Sequence, residues 1–190
     1  MDSINLSTAI SMTGLSKRTL WRRIAEGLLR VEGASGAPSR VKPQTRIALD
    51  DVLALSPLRL EGDDRALILQ ADAGAAQAQC DLALLLLEQG RAADALQWLE
   101  RAARQQHLDG MYWLGRCLMR GEGVAADERR GADWIARAAN HGHVIALPMV
   151  QYLYDPARPS LAPADLDAAL DAIERRMVLD ALNASADPVA

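Results

Sequence analysis

The sequence contains no phenylalanine, and only 4% of its 190 residues are aromatic. Alanine and leucine dominate the apolar half of the composition, which favours helix over sheet. The two cysteines, Cys80 and Cys117, lie inside helical patterns without a C-x-x-C partner, which argues against a disulfide scaffold. No apolar run approaches the roughly 20 residues that cross a bilayer, so we expect no membrane segment.

Signals for export, phosphate binding and metal binding are also missing. Residues 1–12 have neither the basic start nor the long apolar run of a signal peptide, which predicts a cytoplasmic protein. The stretch GEGVAAD, residues 121–127, lacks the lysine and the preceding strand of a phosphate-binding loop. We therefore expect no catalytic residue, no metal and no cofactor. An enzyme or metal protein stays as an alternative, with His141 and His143 as the candidate metal ligands.

Charge divides the chain into a basic head and an acidic body. Residues 1–60 contain nine Lys and Arg against five Asp and Glu, a net charge of +4. Residues 61–190 contain twelve against twenty, a net charge of −8. This division is typical of a nucleic-acid-binding module joined to a separate interaction module. The alternative is that both charges only keep the surface soluble.

Residues 14–29, GLSKRTLWRRIAEGLL, predict a short helix that follows a tight turn. Ser16 suits the N-cap and Gly27 the C-cap, so the helix should run from residue 17 to 26. Apolar positions between Leu6 and Met12 predict a first short helix just before it. Helix, glycine-containing turn and helix is the plan of a helix-turn-helix.

The second of these helices has a buried side and a basic side. At about 100° per residue, Leu20 and Ile24 fall on one face, while Arg18 and Arg22 point nearly the opposite way. A short helix that is buried on one side and carries exposed arginines on the other suits insertion into the major groove of DNA. Trp21 lies on the flank, where packing against a neighbouring loop and lying along a phosphate strand are both open.

After this helix, residues 28–32 and 46–49 predict two short strands. The connecting segment GASGAPSRVKPQT, residues 33–45, is rich in Gly, Pro and Ser and has the composition of a wing. These motifs, followed by RIALDDVLAL, resemble the winged helix-turn-helix of excisionase-like and MerR-like DNA-binding domains. The resemblance covers about residues 5–56 and implies a last helix over residues 50–55.

The resemblance and the charges together give a set of DNA-binding residues. They are Ser16, Lys17, Arg18, Trp21, Arg22, Arg23, Arg40, Lys42 and Arg46. Arg18 and Arg22 are the candidates for reading base edges. The phosphate contacts are expected from Lys17, Arg23, Arg40, Lys42 and Arg46.

Beyond a linker at residues 56–64, the chain repeats itself. GAAQA at residues 74–78 aligns with QHLDG at 106–110 and GHVIA at 142–146, at offsets of 32 and 36. WLERAA at residues 98–103 recurs as WIARAA at 134–139, again 36 residues later. Two independent segments that recur at one period predict stacked helical hairpins.

The second unit has its helices at residues 110–119 and 128–140. Residues 66–74 look like a leading second helix, and residues 164–182 have the spacing of a capping helix. The pattern G-x(3)-A-x(3)-L-G, then G-x-G-V-x(2)-D-x(6)-W-x(3)-A-A, resembles the Sel-like repeats of the tetratricopeptide superfamily. That resemblance covers about residues 66–154 and implies an α-solenoid that holds a protein or peptide.

We therefore predict a mainly α protein with a winged helix-turn-helix head at residues 1–59 and an α-solenoid of about two to three hairpins at 60–155. A linker, a capping helix and a short tail follow at 156–190. The expected function is a DNA-binding transcriptional regulator or accessory factor, whose head binds double-stranded DNA while its repeats bind a protein. The alternative is an interaction adaptor or scaffold that does not bind DNA. Because a small head alone binds DNA weakly, site selection is expected to need either a homodimer or a DNA-bound partner.

Overall fold

The computed structural model describes residues 2–32 and 45–186 and is mainly helical, with one small sheet. This confirms the predicted fold class, an α-rich protein with repeated helical hairpins of the α-solenoid type. The chain divides between Leu82 and Ala83 into two compact units. We call the described residues up to Leu82 the first unit and those from Ala83 the second unit.

The first unit combines short strands and helices. Its elements are β1 (Ser3–Asn5), α1 (Leu6–Thr13), α2 (Lys17–Ala25), β2 (Val31–Glu32), β3 (Arg46–Ala48), α3 (Leu49–Leu53), α4 (Asp64–Asp72) and α5 (Ala76–Glu88), the last of which runs on into the second unit. The sheet has the order β1-β3-β2, and both pairs are antiparallel. Strand β1, which the sequence analysis did not predict, pairs Ser3 with Ala48.

Local capping explains where helices α1 and α2 begin and where α1 ends. The Asn5 side chain accepts a hydrogen bond from the Thr8 amide and starts α1. Gly14 ends α1 with φ of 68°, a left-handed conformation that glycine adopts without strain. Ser16 then caps α2 by accepting from the Thr19 amide at 3.1 Å, as the sequence predicts.

The core of the first unit includes apolar side chains from five of its elements. Fully buried side chains come from β1, α1, α2, β3 and α3: Ile4, Met12, Leu20, Ile47, Leu49 and Val52. Helix α2 contributes Leu20 alone, since the rest of its surface is exposed or half-buried. Burying a single leucine leaves most of the α2 surface available for other contacts.

Helix α4 forms near the predicted residues, and its last carboxylate bonds to the start of the chain. The Asp72 side chain is 1% exposed. It accepts hydrogen bonds from the Asn5 amide at 3.1 Å and the Thr8 hydroxyl at 2.6 Å, and it pairs with Arg46 at 3.1 Å. A buried carboxylate requires such partners, because an unpaired buried charge is very costly. Asp72 therefore fixes α4 to β1 and α1.

The second unit is a series of helices joined by short turns. After the end of α5 come α6 (Ala92–Arg104), α7 (Leu108–Arg120), α8 (Glu128–Asn140), α9 (Ala146–Leu153) and α10 (Pro163–Ala186). The predicted second helix of the second repeat matches α8 at both ends, and its first helix matches α7 to within two residues. The predicted capping helix is part of the longer α10.

Small residues let α7 approach both of its neighbours closely. A Cβ added to Gly110 would lie 2.8 Å from the Ala102 Cβ of α6, and one added to Gly115 would lie 2.6 Å from the Ile135 Cγ1 of α8. Both distances are well below ordinary carbon–carbon contacts of about 3.5–4.0 Å. The backbones therefore approach to a distance that any larger side chain would prevent.

Candidate functional site

The outer face of α2 presents the basic residues that the sequence predicts. Lys17, Arg18 and Arg22 are exposed and Arg23 is half-buried. Arg22 keeps 68% of its side chain exposed and lies 3.8 Å from Glu26, a loose pair one turn away. Arg18 forms no ion pair with any residue that the structure describes. Two guanidinium groups on this face are therefore available to an anionic ligand.

Arg18 and Arg22 lie together around a concavity. This concavity of about 330 Å³ is lined by Arg18, Thr19 and Arg22. The Thr19 hydroxyl lies 2.9 Å from the hydroxyl of the capping residue Ser16. Guanidinium and hydroxyl groups at the start of a helix are donors, and the partial positive charge of the helix N-terminus favours anions there.

Apolar side chains flank this basic face. Trp21, one of the predicted DNA-binding residues, is 43% exposed, and Leu28, just past the helix, is 61% exposed. An exposed indole has the area and the flat ring to pack on a sugar or on another protein. The exposure of Trp21 is compatible with packing against a neighbouring loop and with contact along a phosphate strand.

The residues predicted to bind DNA from the wing region are Arg40, Lys42 and Arg46. Arg40 and Lys42 lie outside the described residues. Arg46 lies at the start of β3, and its guanidinium donates to Asp72, to the Ser3 hydroxyl at 3.0 Å and to the Ser3 carbonyl. The Arg46 side chain is still 43% exposed. Its guanidinium is thus occupied inside the first unit, and the phosphate contact expected of it stays a prediction.

The second unit has an open groove between its helices. A cavity of about 500 Å³ is bounded by α5, the start of α6 and the outer side of α7. Its lining is mostly apolar, with charged side chains at one end: Leu84, Leu87, Glu88, Gly90, Ala92, Trp113, Arg120 and Glu122. A partly open groove with apolar walls and a few charges is the usual form of a peptide-binding site.

One edge of this groove leads to a cluster of charges between α7 and α10. We call Tyr112, Arg116 and Arg120 the arginine face, because they follow one another at four-residue spacing along one side of α7. Three carboxylates of α10 meet this face, those of Asp167, Asp171 and Glu174. The sequence analysis did not predict this cluster.

Arg116 is the centre of the cluster and is fully buried. It donates to Asp167 at 2.7 Å, to Glu174 at 3.1 Å and also to Asp171. Arg120 adds bonds to Asp167 at 2.6 Å and to Asp171 at 3.0 Å. The Nε of Arg116 is buried without a hydrogen-bond partner among the described residues. The guanidinium is therefore held by carboxylates of α10 on one side only.

The electrostatics of the cluster follow from burial and pairing. Burial raises the pKa of Tyr112, whose hydroxyl donates to Glu174 at 2.9 Å. Desolvation by itself would raise the pKa of Asp167, but hydrogen bonds from Arg116 and Arg120 outweigh it and hold the pKa below its ordinary value. The carboxylate of Asp167 is thus ionised in the folded protein at neutral pH.

The histidines and cysteines have structural roles in the described chain. His107 caps α7 by accepting from the Gly110 amide at 3.1 Å, and His143 accepts from the Ala146 amide at 3.2 Å in the same repeat position. Cys80 and Cys117 are buried thiols, in agreement with the predicted lack of a disulfide scaffold. Burial raises the pKa of Cys117 to about 12, which suppresses its thiolate.

The described residues contain neither a metal-binding cluster nor a membrane-spanning helix. Within residues 2–32 and 45–186, no three or more His, Cys, Asp and Glu side chains are grouped so that they would hold a metal ion. In the same ranges, no helix combines the length and the apolar content needed to cross a membrane.

The sequence contained a signal for the missed cluster. Basic residues at spacing four on α7, and acidic residues at spacings four and three on α10, each form a charged stripe on one helix face. Taken separately, each stripe resembles a solvated surface. Only the tertiary contact reveals that the two stripes neutralise each other.

Comparisons with known proteins bear on the second unit. No curated protein and no solved structure matches the chain. No family profile matches the predicted winged helix-turn-helix. Residues 76–107 and 108–143 match the Sel1 repeat, so this part of the chain consists of two Sel1 repeats and forms a protein-interaction repeat domain.

Proposed function

We propose that the protein is a DNA-binding regulator or accessory factor. Its first unit binds double-stranded DNA through α2, and its repeats bind a protein partner. The observation that carries the DNA-binding part is the division of α2 into a buried side at Leu20 and an exposed side with Arg18 and Arg22. A helix with this division presents its donors to base edges when it enters a major groove.

Each basic residue has an expected role in this proposal. Lys17 and Arg23 bind phosphates beside the groove, and Ser16 lies at the same end of the helix. Arg18 and Arg22 contact base edges or the phosphates closest to them. Arg40 and Lys42 belong to the proposed wing. We expect Arg46 to contribute least, because its guanidinium already bonds to Asp72 and Ser3.

Fluorescence anisotropy on a mixed-sequence duplex, at about 50 mM and 200 mM salt, tests the DNA-binding part. The test variant is Arg18→Ala with Arg22→Ala. The matched control is Arg104→Ala with Arg130→Ala, which removes the same charge from exposed positions on α6 and α8. We expect the test variant to lose affinity and to have a shallower dependence on salt, since each lost phosphate contact reduces the slope by about one.

The control variant should bind like the wild type. Equal losses in the two variants would mean that only net charge matters, and binding that does not respond to salt would contradict groove insertion. Repeating the titration over a concentration range also tests the proposed homodimer. A dimer that places two α2 helices on DNA requires half-sites about one helical turn apart.

A second candidate function is an interaction adaptor that does not bind DNA. The observation that favours it is the exposure of Trp21 and Leu28 beside the basic face, since exposed apolar side chains often mark protein contacts. Trp21→Ala separates the two functions. For the adaptor, this change lowers capture of a protein partner by the full chain while DNA binding is absent in every variant.

A further inference from the structure

The position of α10 departs from the repeat pattern. Adding the repeat period of 36 residues to the bounds of α8 gives residues 164–176. The N-terminal half of α10 therefore lies where a third repeat would have its second helix. In α8, the buried positions that face α7 include Gly131, Ile135 and Ala138. Their equivalents in α10 are the three carboxylates Asp167, Asp171 and Glu174.

Carboxylates cannot fill these packing positions without partners, because burial of an unpaired charge is strongly unfavourable. In α7, one face is covered by α8. The corresponding face of α9 is accordingly exposed. Leu147 and Tyr154 are 54% and 56% exposed, whereas their equivalents Met111 and Leu118 are 1% and 3% exposed. Helix α10 instead places its carboxylates on the arginine face of α7.

The attachment of α10 combines charge pairing with a short apolar stripe. Among its side chains from residue 163 to 183, only Leu166 and Leu170 are buried. Beyond the acidic residues, Val178, Leu179 and Leu182 are exposed. The paired carboxylates keep between 25% and 35% of their side-chain surface exposed, so water and salt reach them. A helix held in this way is a suitable competitor for another helix of the same charge pattern.

We infer that α10 is a ligand held in cis, and that the arginine face is a receptor for an acidic amphipathic helix of a partner protein. The partner helix would carry carboxylates at positions i, i+4 and i+7, as α10 does, with leucines beside them. This inference deepens the proposed function and rests on its statement that the repeats bind a protein. It adds the partner's chemistry and a segment that the partner must displace.

The linker at residues 154–162 sets the strength of the competition. A short tether keeps α10 at an effective concentration on the order of millimolar near its own receptor. A free helix with the same contacts therefore binds the wild-type protein weakly. Loss of the carboxylates from the tethered α10 removes the competitor and leaves the receptor unchanged.

The test uses a fluorescein-labelled peptide with the sequence of residues 163–183 and the full-length protein. The test variant, Asp171→Asn with Glu174→Gln, neutralises two carboxylates that bond to Arg116. The matched control, Asp165→Asn with Asp180→Asn, neutralises two exposed carboxylates on the same helix. We expect the peptide to bind the test variant at least about tenfold more tightly than the control or the wild type.

A peptide with Asn and Gln at the three acidic positions should fail to bind the test variant. Equal binding of the unchanged peptide to all three proteins would overturn the inference, and so would equal binding of the acidic and neutral peptides. Absence of peptide binding to a test variant that keeps its helical circular dichroism would also overturn it, because the receptor would then accept no helix in trans.

Hydrogen exchange on the wild-type protein gives a second measurement that does not depend on a variant. Amides of α10 should exchange faster than those of α7, and raising the salt from about 0.1 M to 1 M should widen this difference, since salt screens the pairing. Protection of α10 that equals that of α7 at both salt concentrations would identify α10 as a fixed part of the fold and would overturn the inference.

The outcome can be separated from that of the proposed function. DNA binding is measured through substitutions on α2 of the first unit and does not enter these experiments. If the peptide exchanges as expected but no acidic helix from another protein is ever captured, the proposed partner binding is wrong while the cis-held α10 stands. If a partner is captured with the same affinity by wild type and test variant, the partner binding stands and the inference fails.

Discussion

The close approach of α7 and α8 gives a sharp prediction for Gly115→Ala. The added Cβ would lie 2.6 Å from the Ile135 Cγ1 and 2.8 Å from the Gly131 carbonyl oxygen. The carbonyl belongs to the backbone, so relief requires α8 to move as a whole. Overpacking of this kind costs about 1–3 kcal/mol. The gain in helix propensity from glycine to alanine, about 1 kcal/mol, offsets only part of it.

Because two contacts are shorter than 3 Å and one of them is to backbone, the cost falls in the upper half of that range, and after the offset we expect the free energy of unfolding of the second unit to fall by about 1–2 kcal/mol. For a chain of this size, that change lowers the Tm by about 2–8 °C. Tryptophan fluorescence is the appropriate probe, because three of the four tryptophans, Trp98, Trp113 and Trp134, lie in the second unit. A Trp21→Phe background confines this probe to the second unit, which is needed because two units need not unfold together.

Gly62→Ala is the matched control. A Cβ at Gly62 meets no atom within 4 Å, and its backbone is not left-handed. Its effect should lie between zero and a stabilisation of about 1 kcal/mol, through reduced freedom of the unfolded chain. If Gly115→Ala proves as harmless as Gly62→Ala, α7 and α8 are not packed at backbone distance and the argument from small residues fails.

Three further predictions follow from buried polar groups. Pairing lowers the pKa of Asp167 in the folded protein, so its contribution to stability is present above the ordinary carboxylate pKa of about 3.9 and is lost as pH falls through the lower folded value. The urea midpoint should therefore drop less steeply from pH 7 to pH 3 in Asp167→Asn than in the wild type. Identical slopes would refute this. Asp72→Ala leaves the Asn5 amide and the Thr8 hydroxyl without their acceptor, so the first unit should lose about 2–3 kcal/mol of stability, measured by hydrogen exchange of its own amides, whereas the exposed Asp63→Ala should be neutral. The raised pKa of Cys117 and its burial predict no reaction with a thiol reagent at pH 8 until denaturant is added; rapid modification of Cys117 in the native protein would contradict the burial.

Much of the helical structure could be predicted because its signals are local. Helix α8 begins after the capping Asp127, and its bounds follow from a turn motif and a repeated WIARAA pattern. Helix α2 was similarly bounded by Ser16 and Gly27. Caps, turns and periodicity act within a few residues, so a single sequence contains them in full.

The missed features all depend on contacts that are distant in sequence. Strand β1 is only three residues long and exists because it pairs with β3, more than forty residues later. Asp72 looked like an ordinary helix-end carboxylate until its contact with Asn5 was known. The candidate DNA-binding face was predictable as a pattern on one helix, while the charge cluster at Arg116 required knowledge of where α10 lies.

His107 and His143 hold the starts of α7 and α9 in equivalent geometries. The Nδ1 of His143 accepts from the Ala146 amide at the start of α9, while its Nε2 lies 3.3 Å from the Asp109 carboxylate at the start of α7 and its ring stacks on Tyr112. The start of α9 is thereby fixed relative to the start of α7. If these units were duplicated to build a longer array, the helix spacing would be kept only if every copy began and ended at this histidine contact. The contact therefore marks the boundaries between exchangeable units of the chain.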